Sequence, residues 1–217
     1  MTRKTDTALA QDIIEACRWM NASGINQGTS GNISMRCGDD MLLTPSGIPY
    51  DQMRPDMLCR FPITNDLDTA PRGNPSSEWR FHQSILYDNP AVMAVVHAHP
   101  AHATALAVQG HAIPACHYMI GAFGGADVPL VDYALFGSTA LARMATQALR
   151  DRSACLLANH GAITTGDSLA RALWRMEELE NLARVYLLAK ASGTPNILTS
   201  QQMAEVIEAF GSYGPKT

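Results

Sequence analysis

Apolar positions recur along the chain with two periods. Over residues 7–22, Leu9, Ile13, Cys17 and Met20 fall on one helical face, Ile14 and Trp19 broaden it, and Gly24 stands where the helix should stop. Residues 33–36 and 41–44 read as short strands joined around Gly38 by a hairpin turn, and residues 57–63 read as a further strand. Helical spacing returns after Pro75, with Trp79, His82, Ile85 and Leu86. The pattern predicts a helix opened by Pro75 and Ser76, with Glu78 in its first turn. Residues 101–109 predict a short helix stopped by Gly110, residues 127–138 a strand and turn, and residues 138–150 a helix led by Ser138. Residues 154–165 read as a buried strand interrupted at Asn159-His160-Gly161 and resuming at Ala162. A long helix over 167–191 carries a broad apolar stripe with Glu177, Glu178 and Glu180 turned to solvent or a neighbour, and a last helix spans 200–210.

The segment AVMAVVHAHP, residues 91–100, stands apart. An apolar run before Pro reads as a buried strand, and side chains at i and i+2 of a strand share a side. His97 and His99 therefore face one way at its carboxyl end. His160, in CLLANHGAI, also follows an apolar run. Three histidines from two such ends suit a zinc site with an open fourth position, although an HxH pair alone is also a common packing feature. His82 reads as a plain helix-face histidine.

Two loops offer small polar groups and open backbone. INQGTSGNISMR lacks the Lys of a phosphate-binding P-loop and is not a dinucleotide fingerprint, yet it can cradle an anion or serve as a plain turn. TPSGIPY is a second loop of the same kind. The helix start at Ser76 and Ser77 adds N–H groups that can hold an anion. Glu78 there either complements the helix dipole or works as an acid or base beside a metal. Tyr118 is either packed or a proton donor in a cleft. TNDLDTAPRGNP reads as exposed loop.

Composition narrows the classes. Of 217 residues, 47% are hydrophobic and 17% charged, with a net charge of -4 and no basic cluster, which argues against nucleic acid and anionic membrane surfaces. No stretch is long and apolar enough to span a bilayer. Five scattered cysteines without a CxxC pair point to reduced thiols and a cytoplasmic setting. The lysines Lys4, Lys190 and Lys216 lie in no motif that suggests burial in a pocket, which favours metal over imine chemistry.

The segments GTSGNIS, LTPSGIPY, NPSSEWRFH, VVHAHPAH and ANHGAI resemble, in order and spacing, the class II aldolase/adducin family, and the similarity runs through nearly the whole chain. The resemblance implies one α/β domain over 1–217, with a central, mostly antiparallel sheet covered by helices. It implies a homotetramer with active sites at subunit boundaries, and one zinc ion per subunit on His97, His99 and His160. Gly31, Asn32, Thr44, Ser46, Gly47, Ser76 and Ser77 would hold a substrate phosphate. Glu78 would be the acid/base carboxylate, and Tyr118, acting from a neighbouring subunit, would protonate the leaving aldehyde oxygen. Tyr213 would close the pocket from the tail.

The implied reaction is reversible cleavage of a ketose 1-phosphate to dihydroxyacetone phosphate and an aldehyde. INQGTSGNIS, LLTPSGIPY, PSSEWRFH and CHYMIGAFGG carry a closer likeness to members acting on L-fuculose 1-phosphate. Residues 62–74, Ser46 and Phe123 depart from those members in or near pocket regions. The same scaffold also serves 5-deoxy- and 5-methylthioribulose-1-phosphate aldolases, sugar-acid phosphate decarboxylases, dehydratases and the non-catalytic adducin. Epimerases of the family carry Asp where this chain has Glu78 and use a late histidine, whereas the last histidine here is His160.

Overall fold

The computed structural model describes residues 6–212. In chain order the helices are α1 (Asp6–Ala22), α2 (Trp79–Asp88), α3 (Ala101–Val108), α4 (Thr139–Ala148), α5 (Leu169–Ser192) and α6 (Ser200–Ser212). The strands are β1 (Asn32–Cys37), β2 (Asp40–Leu43), β3 (Cys59–Pro62), β4 (Ala94–Ala98), β5 (Ile113–Pro114), β6 (Asp127–Val128), β7 (Leu130–Val131), β8 (Ala154–Leu157) and β9 (Gly161–Gly166). Among the described residues, a seven-stranded sheet runs β3-β2-β1-β4-β9-β8-β7, and β5 pairs separately with β6. Every pairing is antiparallel except β7 with β8. The expected mostly antiparallel sheet under helices is what the chain forms.

Strand alternation sorts the core into two layers. Ile33, Leu42, Ala94, Val96, Ala98, Leu156 and Ala162 point to the side covered by α1, α3 and α5. Met41, Leu43, Val95, Cys155, Leu157 and Ile163 point to the side covered by α2 and α4, against Phe81, Ile85, Leu86 and Leu141. Each such side chain, fully buried, contributes about 1.5–3 kcal/mol of transfer free energy. Asn32, Ser34 and His97 interrupt this second layer as buried polar residues. The β1–β4 register sets Asn32 directly opposite His97.

Three expectations are corrected. The helix does not open at Ser76. Residues 74–76 lie extended along the preceding loop, with Pro75 bridged to Pro45 and Ser76 N–H donating to the Thr44 carbonyl at 2.9 Å, so α2 begins only at Trp79 with Glu78 at its N-cap. Residues 154–165 are not one interrupted strand. The chain reverses there, Leu157 pairs with Gly161, and His160 sits in the turn after Asn159, whose φ is 55°. Glu180 is not turned away. Its carboxylate accepts from the N–H groups of His102 (3.0 Å) and Ala103 (2.9 Å) and from His102 Nδ1 (2.7 Å), capping α3. Pro100, at the N-cap of α3, makes no side-chain cap bond there, so the acceptor comes from α5. Ser138 and Ser168, by contrast, cap their own helices through Leu141 and Arg171 N–H.

Candidate metal centre and cleft

Three imidazoles converge from three backbone settings. His97 lies within β4 and is fully buried. His99 follows β4 by one residue on the same side, and His160 occupies the β8–β9 turn. Their ligand-capable nitrogens lie within 4.8 Å of one another, with His97 Nε2 and His99 Nε2 3.0 Å apart. Ring centroids stand 4.8 to 5.0 Å apart. The turn is tight: a Cβ on Gly161 would come 2.5 Å from His99 Cδ2 and 2.6 Å from the Ala98 carbonyl. The His97 ring is aimed by its far nitrogen. Nδ1 donates to the Ala162 carbonyl at 2.9 Å, so Nε2 faces the cluster.

Glu78 completes the cluster. It is 4% exposed. Oε2 accepts from Asn32 Nδ2 at 2.9 Å and lies 3.1 Å from His97 Nε2. Oε1 is buried without a hydrogen-bond partner, 3.4 Å from His160 Nε2. Burial alone would raise the carboxyl pKa. The charge and hydrogen bond of His97, the charge of His160 and the Asn32 bond together outweigh it and hold the group at about 2. Burial would lower the His97 pKa, but the charge and hydrogen bond of Glu78, with the Ala162 bond, outweigh it and raise it. Burial, followed by the charge of His97, lowers His99 to about 3 and His160 to about 4, so both present lone pairs at neutral pH.

These residues fit a divalent cation. Nitrogen donors in this number leave an open coordination position, as catalytic zinc requires. A buried acceptor with no donor is costly, and a cation in the cluster offsets that cost. Holding such an ion requires the imidazole nitrogens that face it to be free of protons.

A cleft of about 490 Å³ opens above the cluster. Thr29, Ser30, Gly31, Ser46, Gly47, Ser76 and Ser77 form one wall, and Tyr133, Ala134 and Phe136 the other. The first wall is knit together: Ser46 N–H donates to the Asn74 carbonyl (2.9 Å) and Asn74 Nδ2 to the Ser46 carbonyl (3.1 Å). Gly137, with φ 71°, lies so close to Ser77 that a Cβ would meet its carbonyl at 2.5 Å, which ties the aromatic wall to the serine loop. Among the described residues, no Lys or Arg lines the cleft. An anion there meets hydroxyls and backbone dipoles.

The cleft gathers Gly31, Asn32, Ser46, Gly47, Ser76, Ser77, Glu78, His99 and His160, with His97 buried behind them. Thr44 is not on its surface. The hydroxyl turns inward to accept from Ile33 N–H at 3.2 Å, and the residue is 1% exposed. Asn32 is at the wall, but both ends of its amide are committed, to Glu78 and to His82 Nε2 (2.6 Å). Tyr118 does not line this cleft. It is half-exposed and stacks on Phe210 with ring centroids 6.3 Å apart. Phe123 is fully buried in the core rather than in the pocket. Tyr213 lies outside the described residues.

The sequence reading missed Tyr133, Phe136 and Asn159 as cleft residues and gave His82 no role. Asn159 was signalled only by its place before His160. The aromatics were signalled by two rings in a short turn ending at Gly137.

Comparison with known proteins agrees with the geometry. The family model for the Class II Aldolase and Adducin N-terminal domain matches residues 11–187. A 5-methylthioribulose-1-phosphate/5-deoxyribulose-1-phosphate aldolase of Rhodospirillum rubrum is 43% identical over 209 residues, 95% of this chain and 93% of that one. L-fuculose phosphate aldolase of Escherichia coli is 41% identical over 207 residues, 95% of each. A solved structure of an L-fuculose 1-phosphate aldolase superposes with a TM-score of 0.88 at 33% identity, covering 97% of this chain and all of its own.

Proposed function

Because the chain belongs to the class II aldolase and adducin family, and is a metal-dependent aldolase, we propose that it cleaves a ketose 1-phosphate reversibly to dihydroxyacetone phosphate and an aldehyde. The observation that carries this reading is the orphaned, ionised Oε1 of Glu78 beside three converging imidazoles. His97, His99 and His160 would hold one zinc ion. When bound, it supplies Lewis-acid stabilisation of negative charge developing on the ketone and hydroxyl oxygens.

The chain's own groups do the rest. The hydroxyls and N–H groups of the Ser46–Gly47 and Ser76–Ser77 loops, with Gly31, hold the phosphate. In the synthetic direction Glu78 Oε1 takes a proton from the hydroxymethyl carbon of dihydroxyacetone phosphate, leaving an enediolate. The enediolate carbon attacks the aldehyde, and Tyr118 gives a proton to the aldehyde oxygen. Tyr118 does this from a neighbouring copy in a homotetramer, where Tyr213 also closes the cleft. Tyr133 and Phe136, 65% and 60% exposed at the cleft rim, leave apolar surface for such a neighbour to cover.

The relatives' names, fuculose and 5-deoxy- and 5-methylthioribulose phosphates, share a sugar end without a terminal hydroxyl. The aromatic wall of this cleft suits an aldehyde with that apolar end. Scattered cysteines without a CxxC pair suit reduced thiols and the cytoplasm.

The test is a coupled assay for dihydroxyacetone phosphate release from zinc-loaded protein. The panel is L-fuculose 1-phosphate, 5-deoxyribulose 1-phosphate, 5-methylthioribulose 1-phosphate and ribulose 1-phosphate. Release from a deoxy substrate, with ribulose 1-phosphate the poorest, is expected. Carbon dioxide or water loss in place of an aldehyde, or no turnover, overturns the reading. Glu78→Gln should keep zinc and lose proton exchange on dihydroxyacetone phosphate, and unchanged exchange removes Glu78 from that role.

A further inference from the structure

We propose that His82 is a positioning residue, which sets the Asn32 amide so that Glu78 keeps one oxygen tied and the other free to move a proton. The inference rests on the aldolase reading for its kinetic consequence, but its structural content stands on hydrogen-bond direction alone.

The direction can be followed outward from the carboxylate. Ionised Glu78 only accepts, so Asn32 must present its NH2 to Oε2, across 2.9 Å. The other end of that amide, Oδ1, also only accepts. Its neighbour at 2.6 Å is His82 Nε2, which must therefore carry the proton. His82 Nδ1 is then a bare acceptor, and the Ser34 hydroxyl 2.7 Å away donates to it. Ser34, His82 and Asn32 are all buried. Burial, followed by the charge of His97, pulls His82 down to about 3, so the ring is neutral and has one proton to place.

The links come from two elements: Ser34 and Asn32 from alternate positions of β1, His82 from α2 and Glu78 from the N-cap position of α2. Glu78 and His82 are four apart and so share a helix face, and Asn32 and Ser34 are two apart on a strand. The two spacings bring the four groups into register along one line. Without the His82 proton the Asn32 Oδ1 loses its donor, and the carboxylate alone is left to hold the NH2 toward Glu78. A reversed amide would set Oδ1 against the carboxylate, and repulsion would swing Oε1 out of place.

The experiment has two arms. In the unaltered protein, metal-free and zinc-loaded, nitrogen-15 NMR of the histidine rings reads the His82 tautomer. A neutral ring protonated on Nε2 is expected. A proton on Nδ1, or an imidazolium, overturns the proposal whatever the reaction proves to be. The second arm compares His82→Leu, which removes the donor, with His82→Gln, whose amide can return one near the Nε2 position. His82→Leu should keep stoichiometric zinc and a KM for dihydroxyacetone phosphate within about twofold, while the turnover of proton exchange drops about 30-fold or more. His82→Gln should recover most of it. Wild-type exchange in His82→Leu, or no recovery in a folded, zinc-loaded His82→Gln, overturns the proposal. Absence of exchange in the unaltered, zinc-loaded enzyme instead overturns the aldolase reading and leaves the tautomer arm to decide the orientation.

Discussion

Single residues decide the metal chemistry here. His97→Ala or His160→Ala should lose stoichiometric zinc and almost all cleavage, as read by metal analysis beside the coupled assay. Full zinc occupancy in both variants would reject them as ligands. Gly161→Ala is subtler, because its Cβ would sit 2.5 Å from the His99 ring. We expect zinc affinity to fall about tenfold or more by competition with a chelator, with far-ultraviolet circular dichroism unchanged. The three histidines and Glu78 were legible because spacing and apolar context travel with the chain. The inward turn of Thr44 was not, since a threonine in a loop says nothing of where its hydroxyl goes. Asn32 was read as a phosphate ligand, and its ties to Glu78 and His82 depend on partners 46 and 50 residues away.

At the scale of elements, α3 depends on a single residue of another helix. Its first turn follows directly from the histidine strand, and its N-terminal N–H groups depend on Glu180 of α5. Glu180→Ala should cost about 1–2 kcal/mol, read as a lower denaturation midpoint, and Glu180→Gln should cost less. A Glu180→Ala variant as stable as wild type would show that solvent replaces the cap. Helices α1, α4 and α5 were legible from periodicity, with Ser138 marking the start of α4. The start of α2 was not, because the pairing of Pro75 with Pro45 withdrew residues that sequence places in the helix. The β8–β9 reversal was hidden for a related reason. Asn159 takes the left-handed conformation that glycine usually supplies, so the turn lacks its usual marker.

Across the whole molecule, the buried imidazoles tie stability to pH. His82, His99 and His160 have folded pKa values of about 3, 3 and 4 against 6.5 for a free histidine. Below pH 6.5 the unfolded chain binds protons that the folded chain refuses, so stability rises with pH in that window and is lost as pH falls. His97 is raised and works the other way: its contribution is present below 6.5 and fades as pH climbs through its folded value. Glu78, lowered from 4.5 to about 2, adds a loss between those two values. Depressed groups outnumber the raised one. The metal-free protein should therefore show a falling melting temperature from pH 6.5 to 4, and a flat profile would contradict the burial of these rings. The sheet's strand order, β3-β2-β1-β4-β9-β8-β7, was beyond reach of periodicity, since beyond the hairpins it depends on the β1–β4 and β4–β9 pairings, which join distant stretches that no window of sequence contains.

The serine and glycine loops of the cleft, without Lys or Arg among the described residues, carry a consequence for how the enzyme meets its surroundings. A phosphate gripped by lysines or arginines at a protein surface loosens as counterions crowd in, because exposed charges are screened over about 8 Å at physiological ionic strength. Serine hydroxyls and peptide dipoles act only at contact and have little long-range field to screen. Affinity for dihydroxyacetone phosphate should accordingly hold within about twofold between roughly 0.05 and 0.3 M potassium chloride. Such loops add little long-range pull of their own, and their grip on the phosphate group is nearly the same at either end of that range.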